Sequence, residues 1–414
     1  MSELVIEPLW DIVEEHLDEA EFLWEQWEHG LVAPNYTLQE VADGPESRLM
    51  AHLDGLVVNG PQVAERLLLP TLGDVDAEPT RVSAAALALL QTPGEAGVDA
   101  VVAGLRAAGQ RPELARALEC CERGPLVGRV GPLLADADVE VRHMAARVLA
   151  FHGEALGEVV TRMLASDRAL DRGLGLRQIP RVAGGPRLAR EVLTALVADD
   201  PELRDEGLTV GAVLGLPEAW AVAREVAVGG GEGAGRALLM LALRGDPADR
   251  SVLAAAVGEA GRRGAGLWAL GFAGTVAAVE LALPWLEDEE HGRLAGEAIA
   301  AITGLDLEDE RLTRVVEDER LEHRPEDDLP VPDAMGVLTW WQTHRSRFAA
   351  DRRYVGGAVR DAAALLRALE QGPMRRRAAH LLGLRLGAPR VPTVELMAPS
   401  RRQRRELAAL RAAL

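Results

Sequence analysis

A chain of 414 residues with 48% hydrophobic side chains can bury a large core, but only 3% are aromatic, so that core must be close-packed Leu, Ala, Val and Gly. Two adjacent cysteines, Cys120 and Cys121, exclude a disulfide framework and offer no metal-ligand spacing. The best apolar run, 207–223, is broken by Pro217 and Glu218, which excludes a membrane-spanning helix there.

In chain order, residues 9–29 read as a strongly acidic amphipathic helix with Trp10, Val13, Leu17, Trp24 and Trp27 among its apolar positions. Further helices are predicted over 44–56 and 62–69, so 1–79 forms an acidic helical cap of the kind a repeat stack needs at its end. From 80 to 305 one spacing recurs. Asp138 opens a helix, Arg142 sits in its first turn, Ala145 follows three positions on, and Gly153 stands eleven positions after the arginine. The same offsets give Arg204, Gly207 and Gly215; Arg263, Gly266 and Gly274; Arg293, Gly296 and Gly304; and, beyond 305, Arg376, Ala379 and Gly387.

Each copy reads as a capped helix start, an apolar stripe and a glycine stop that supplies the positive φ of a C-cap. The small residue lets a neighbouring helix approach closely. A second helix is predicted after each: 155–165, 186–198, 217–228, 246–261 and 275–286. Helix pairs about 30 residues apart, none able to bury its face alone, predict an all-α right-handed α-solenoid of short HEAT-like repeats. Residues 306–334 read as an acidic, proline-containing connection with a helix in its first half. Residues 335–414 read as a basic helical region carrying a further repeat, with helices over 358–370, 373–386 and 400–413.

Charge is unevenly spread along the chain, whose formal total is −20. Residues 1–80 carry 18 acids and two arginines, 287–328 carry 16 acids and five arginines, and 341–414 carry five acids and 16 arginines. An acidic body disfavours nucleic acid as partner, since that needs clustered positive charge, and suits a basic protein. The basic tail is expected to complement the acidic 287–328 segment or to solvate its own helices. All 45 basic residues are arginine, which reads as the mark of a GC-rich genome. Acids from Glu3 onward leave no charged-then-apolar leader, so the expected location is cytoplasmic.

The segments RLMAHLDGL (48–56), WWQTHRSRF (340–348), DRRYVGG (351–357) and RRRAAHLLGLRLG (375–387), with the repeats between them, resemble a family of uncharacterised bacterial HEAT-repeat proteins. Members are seen in myxobacteria and pseudomonads, often near type VI secretion and polymorphic-toxin genes. The resemblance implies a link to interbacterial competition and carries over no catalytic residue.

Candidate chemistry is sparse. HEAT-fold hydroxylases that bind two irons use repeated His-Glu pairs, and this chain has no His-Glu dipeptide; Glu28-His29, Glu290-His291 and Glu322-His323 are reversed and scattered. No metal site and no cofactor is expected. Arg48, His52 and Asp54 form the most suggestive polar cluster, read here as a histidine near a helix end. The run Gly229–Gly231 precedes no lysine and reads as a turn. Trp24, Trp27, Trp340 and Trp341, with the acids Glu287, Asp288 and Glu289, are the candidate partner-binding residues. Trp340 and Trp341 are adjacent, so one is expected to be buried and the other partly exposed. The repeat arginines are expected to hold carboxylates or helix-end carbonyls. The resulting expectation is a non-enzymatic protein-binding scaffold whose concave face grips a basic partner, such as an immunity or adaptor protein for a secreted toxin. The alternatives are a HEAT-like lyase or hydroxylase and a nucleic-acid-binding HEAT protein.

Overall fold

A computed structural model describes residues 7–107, 109–122, 126–181, 188–231, 233–315 and 324–414. Among the described residues the regular structure is helical apart from two antiparallel pairs of two-residue strands, Thr313–Arg314 with Val331–Pro332 and Tyr354–Val355 with Ala358–Val359. It divides into two compact units. One takes the chain up to Val32, Leu38–Met163 and Glu395–Arg405; the other takes Ala33–Thr37, Leu164–Val394 and Glu406–Leu414. The division falls inside the 80–305 repeats.

In the N-terminal unit, Trp10–Gly30 packs on Ser47–Val58 and on Pro79–Gln91. Pro79–Gln91 packs in turn on Arg111–Cys120, and that helix on Val139–Phe151. Every residue of Pro79–Gln91 from Val82 to Leu90 is buried, which requires neighbours on all sides. In the C-terminal unit the same alternation runs from Ala169–Gln178 through Pro201–Val213, Ala234–Arg244 and Arg263–Ala273 to Gly292–Thr303, each packed on the next. The intervening helices Ala189–Leu196, Pro217–Gly229, Arg250–Gly258 and Val276–Ala282 pack against this row. Small residues make the close approach possible: a Cβ on Gly207 would lie 3.0 Å from the backbone N of Leu196, and one on Gly266 2.9 Å from that of Val257.

The repeat arginines do one job repeatedly. Arg142 donates to the carbonyls of Asp136 (2.7 Å) and Ala137 (2.9 Å), six and five residues back. Arg204 reaches Ala198 (3.3 Å) and Arg263 reaches Val257 (3.1 Å), again six back. Arg111 on Leu105 and Arg172 on Ser166 and Asp167 repeat the device without having been picked out by the spacing. These carbonyls lie at or just past the end of the preceding helix, where intrahelical donors run out and the dipole is negative, so a guanidinium suits them. Replacing Arg142 by methionine is expected to cost about 1.5–3 kcal/mol, the range for hydrogen bonds to charged groups, in chemical denaturation.

Asp138 caps its helix through the Glu140 N–H (2.9 Å), and Asp200 caps Pro201–Val213 through that of Leu203 (2.9 Å). Gly153, Gly215, Gly274 and Gly304 all have φ between 70° and 79°. Two positions depart from the pattern. Gly387 is the last residue of its helix and not a left-handed cap, and Arg376 lies in the 3-10 turn Met374–Arg376, buried against Glu297. Arg293 reaches forward to the carbonyls of Asp327 and Leu329.

Within 306–315 no helix forms, residues 316–323 lie outside the described set, and among the described residues of that connection Pro325–Asp328 forms a helical turn. The helix expected over 358–370 is Ala362–Gln371, because the strand pair ending at Val359 takes its first turn. The expected helix over 186–198 appears as Ala189–Leu196, residues 186 and 187 lying outside the described set.

Candidate functional site in the C-terminal unit

The basic 341–414 region sends many of its arginines inward. Arg353 donates to the carbonyls of Leu243 (3.0 Å), Arg244 (3.3 Å), Phe272 (2.9 Å) and Ala273 (2.7 Å), and to Ala242. It thereby closes the C-termini of two successive helices of the row. Burial, reinforced by the nearby charge of Arg360, pushes its pKa down to about 9. It stays a cation at neutral pH, held by carbonyl dipoles instead of a carboxylate.

The following residues continue the closure. The Tyr354 N–H donates to Gly274 O (2.6 Å), Gly356 to Ala301 O (2.7 Å) and Gly357 to Ile302 O (3.0 Å). The repeat glycines therefore serve twice. Besides the left-handed φ, a Cβ on Gly274 would sit 2.5 Å from the carbonyl of Tyr354, and one on Gly304 2.8 Å from that of Gly356.

Behind this hairpin, Arg377–Gly387 packs against Ala362–Gln371, Ala234–Arg244 and Pro201–Val213. The chain's own C-terminal part thus covers part of this row, at Pro201–Val213 and Ala234–Arg244. Arg377 is fully buried and donates to Leu369 O at 2.6 Å; burial lowers its pKa to about 10.

Arg376 is 3% exposed. Its guanidinium lies 4.0 Å from the Phe272 ring centre and 5.0 Å from that of Trp268, over Gly271, where a Cβ would meet Nη2 at 2.7 Å. Glu297, 6% exposed, faces Arg376 at 3.3 Å and Arg375 at 3.5 Å. The Arg376 pair is not aligned as a hydrogen bond: Nε, Nη1 and Nη2 of Arg376, and Oε1 of Glu297, have no hydrogen-bond partner among the described residues.

One helical turn on, His380 is 5% exposed and its Nδ1 is likewise unpartnered. Burial, then the charges of Arg376 and Arg360, push its pKa down to about 3, so it is neutral and a weak proton acceptor. Glu297, Arg376, His380 and Arg367 line a cavity of about 370 Å³ whose other walls are mostly alanine and glycine. A second, more open cavity of about 430 Å³ is bordered by Trp268, His291, Arg324, Glu326 and Arg375.

The residues singled out from sequence lie elsewhere. Trp24 and Trp27 are 3% and 2% exposed, packed edge to face at 5.5 Å, with Trp27 Nε1 donating to Glu46 (3.0 Å). They are core residues of the N-terminal unit and offer a partner nothing. Of the adjacent pair, Trp341 is buried against Phe348 and so is a core residue and not a partner contact, whereas Trp340 is partly exposed, as the adjacency implies, and stacks on His344 at 4.4 Å. Glu287 and Glu289 are exposed. Asp288 instead turns inward: burial opposes its charge, but hydrogen bonds from the N–H and imidazole of His291 hold its carboxyl below the ordinary range.

His52 does not join Arg48 and Asp54, both exposed; its Nδ1 lies 3.1 Å from that of His16, in space left by Gly55. Burial pushes the Cys120 thiol up, against the pull of Arg116, and both cysteines are buried. Among the described residues no three His, Cys, Asp or Glu side chains group as metal ligands; Glu322 and His323 lie outside those residues. No described helix is long and apolar enough to cross a membrane.

No protein-family model and no curated protein matches the sequence. Among solved structures, Escherichia coli YibA is similar at 15% identity over 68% of this chain and 95% of its own, with a TM-score of 0.30. An engineered protein matches at 15% identity over 89% and 99%, TM-score 0.31. Human deoxyhypusine hydroxylase, solved with glycerol, matches at 16% identity over 68% and 95%, TM-score 0.20. At such scores the likenesses carry no argument about the site.

Proposed function

We propose that this chain is a non-enzymatic binding protein, built as a right-handed α-solenoid of short HEAT-like repeats, whose partner is a protein with a basic surface. What supports this reading is where the two signs of charge lie. Arginines 353, 376 and 377 are spent on internal carbonyls and on Glu297, while Asp11, Glu14, Glu15, Asp18 and Glu25 stand exposed on Trp10–Gly30. On that same helix Ile12 and Phe22 are 47% and 53% exposed, three turns apart and flanked by these acids. Exposed apolar side chains rimmed by like charge suit an anchor within an electrostatically steered interface.

The resemblance to HEAT-repeat proteins encoded near toxin genes adds the finer reading, an immunity or adaptor protein for a type VI secretion-associated toxin. The test is association kinetics with the product of the adjacent gene across a salt series. Association is expected to slow as salt rises, because exposed charges are screened beyond about 8 Å at physiological ionic strength. Phe22→Ala is expected to speed dissociation by about tenfold or more while leaving association nearly unchanged. A rate indifferent to salt, or no binding, overturns the reading.

A further inference from the structure

We infer that the 370 Å³ cavity of the C-terminal unit is a binding site for a small monocarboxylate with an apolar body, held through Arg376 and His380. The inference goes beyond the protein-binding reading and concerns a different part of the chain. It starts from an imbalance. Buried polar groups are paired in folded proteins, and one left unpaired costs the full desolvation of that group. Here Nε and Nη2 of Arg376 and Nδ1 of His380 lack hydrogen-bond partners, Nη1 of Arg376 meets Oε1 of Glu297 only as a 3.3 Å ion pair without hydrogen-bond alignment, and all three residues line one cavity. A structural arginine elsewhere in the same unit looks different: Arg353 satisfies its fork on five carbonyls.

The chemistry of the walls selects the ligand. Two arginines of the walls, Arg367 and Arg376, stand against one wall carboxylate, Glu297; Arg375, which also faces Glu297, is not part of the lining and has Glu326 as a second partner. The surplus is positive, so the missing group is an anion. A guanidinium fork matches a carboxylate bidentately, and neutral His380 supplies a further hydrogen bond. Glu297 beside the site repels a second negative charge, which disfavours a phosphate dianion. Ala300, Ala301, Val355 and Ala364 suit a short branched hydrocarbon, and the volume falls in the range of small-ligand pockets. In the free chain the Arg376 guanidinium is folded back on Phe272 at 4.0 Å, and an entering carboxylate gives it the partner this ring does not.

The probe is 3-methylbutanoate, with its uncharged amide, inorganic phosphate and a leucine-terminated tetrapeptide as comparisons, measured by calorimetry and by thermal unfolding of the full chain. The carboxylate at about 10 mM is expected to raise the unfolding temperature by about 2 °C or more, as any ligand of the native state does. The amide should do nothing, and phosphate should bind at least about tenfold more weakly. Two variants locate the effect. Arg376→Met removes the fork and leaves Glu297 to Arg375. Ala368→Leu keeps every charge and fills the cavity. Both are expected to lose the carboxylate response. No response in the wild type, an equal response in Ala368→Leu, or phosphate binding as tightly as the carboxylate overturns the inference. Tighter binding of the tetrapeptide than of 3-methylbutanoate also overturns it, by assigning the site to a peptide terminus.

Discussion

Replacing Glu297 by alanine is expected to destabilise the protein by about 3–5 kcal/mol, the cost of breaking a buried ion pair from one side. Among the described residues Glu297 is the one carboxylate paired with Arg376, and it also faces Arg375. Removing it leaves Arg376, 3% exposed, as a buried cation beside Phe272 with nothing opposite. Arg375 suffers less, since Glu326 stands 3.4 Å away. The pair itself need not be stabilising. The double change Glu297→Leu with Arg376→Met replaces both charges by apolar groups of similar volume and is expected to recover most of the loss. Denaturant titrations of the two variants check this. A single variant within about 1 kcal/mol of wild type, or a double variant no better than the single, would show that the two charges are not coupled.

How far the fold could be read from sequence depends on which forces are local. The repeat spacing was legible because a capping aspartate, a clamping arginine and a left-handed glycine act within one helix and the loop before it. Asp138, Arg142 and Gly153 do what their positions imply. Arg376 matched the same offsets for a different reason. Its neighbours, Arg375 before it, Arg377 after it and His380 a turn later, are charged or polar where a helix meets the core, yet a spacing rule cannot see that Gly271 and Glu297 receive Arg376.

The tryptophans failed in the opposite direction. Helical spacing placed Trp24 and Trp27 correctly on the apolar side of Trp10–Gly30, and large residues there are buried before they are offered to a partner. The exposed apolar residues of that helix, Ile12 and Phe22, sit among carboxylates where amphipathic averaging hides them. The basic tail was read in part: Arg375 and Arg376 do face Glu297 and Glu326 of the acidic 287–328 segment, but other arginines turn to carbonyls. Net charge over a segment counts arginines without asking whether carbonyls receive them, and Arg353 has five such acceptors that carry no formal charge.

Lowering the pH from 7 to 5 is expected to remove about 2 kcal/mol of stability through His380 alone, following the linkage of proton binding to folding. The sign follows from the two states. In the folded chain burial, Arg376 and Arg360 hold the imidazole at about 3, whereas an unfolded histidine titrates near 6.5. Between those values the unfolded chain binds the extra proton, so stability is complete above about 6.5 and declines as pH falls towards about 3. The charged groups around the ring act in concert: Arg376 and Arg360 oppose its protonation, and no carboxylate is among the causes of its shift. Asp205 works the other way. Burial raises its carboxyl to about 6 against the pull of Arg236 and Arg204, so its share of stability is lost as pH rises from about 4 to 6. The wild-type curve therefore mixes opposing contributions, and a variant isolates one of them. His380→Leu keeps Asp205 and the surface carboxylates while removing the imidazole. Unfolding free energies of wild type and variant at pH 7 and pH 5 should differ in their pH dependence by about 2 kcal/mol, the wild type losing more on acidification. Parallel losses in the two proteins would mean that His380 takes up its proton within the folded state, with the Arg376 cavity open enough to water to accommodate it.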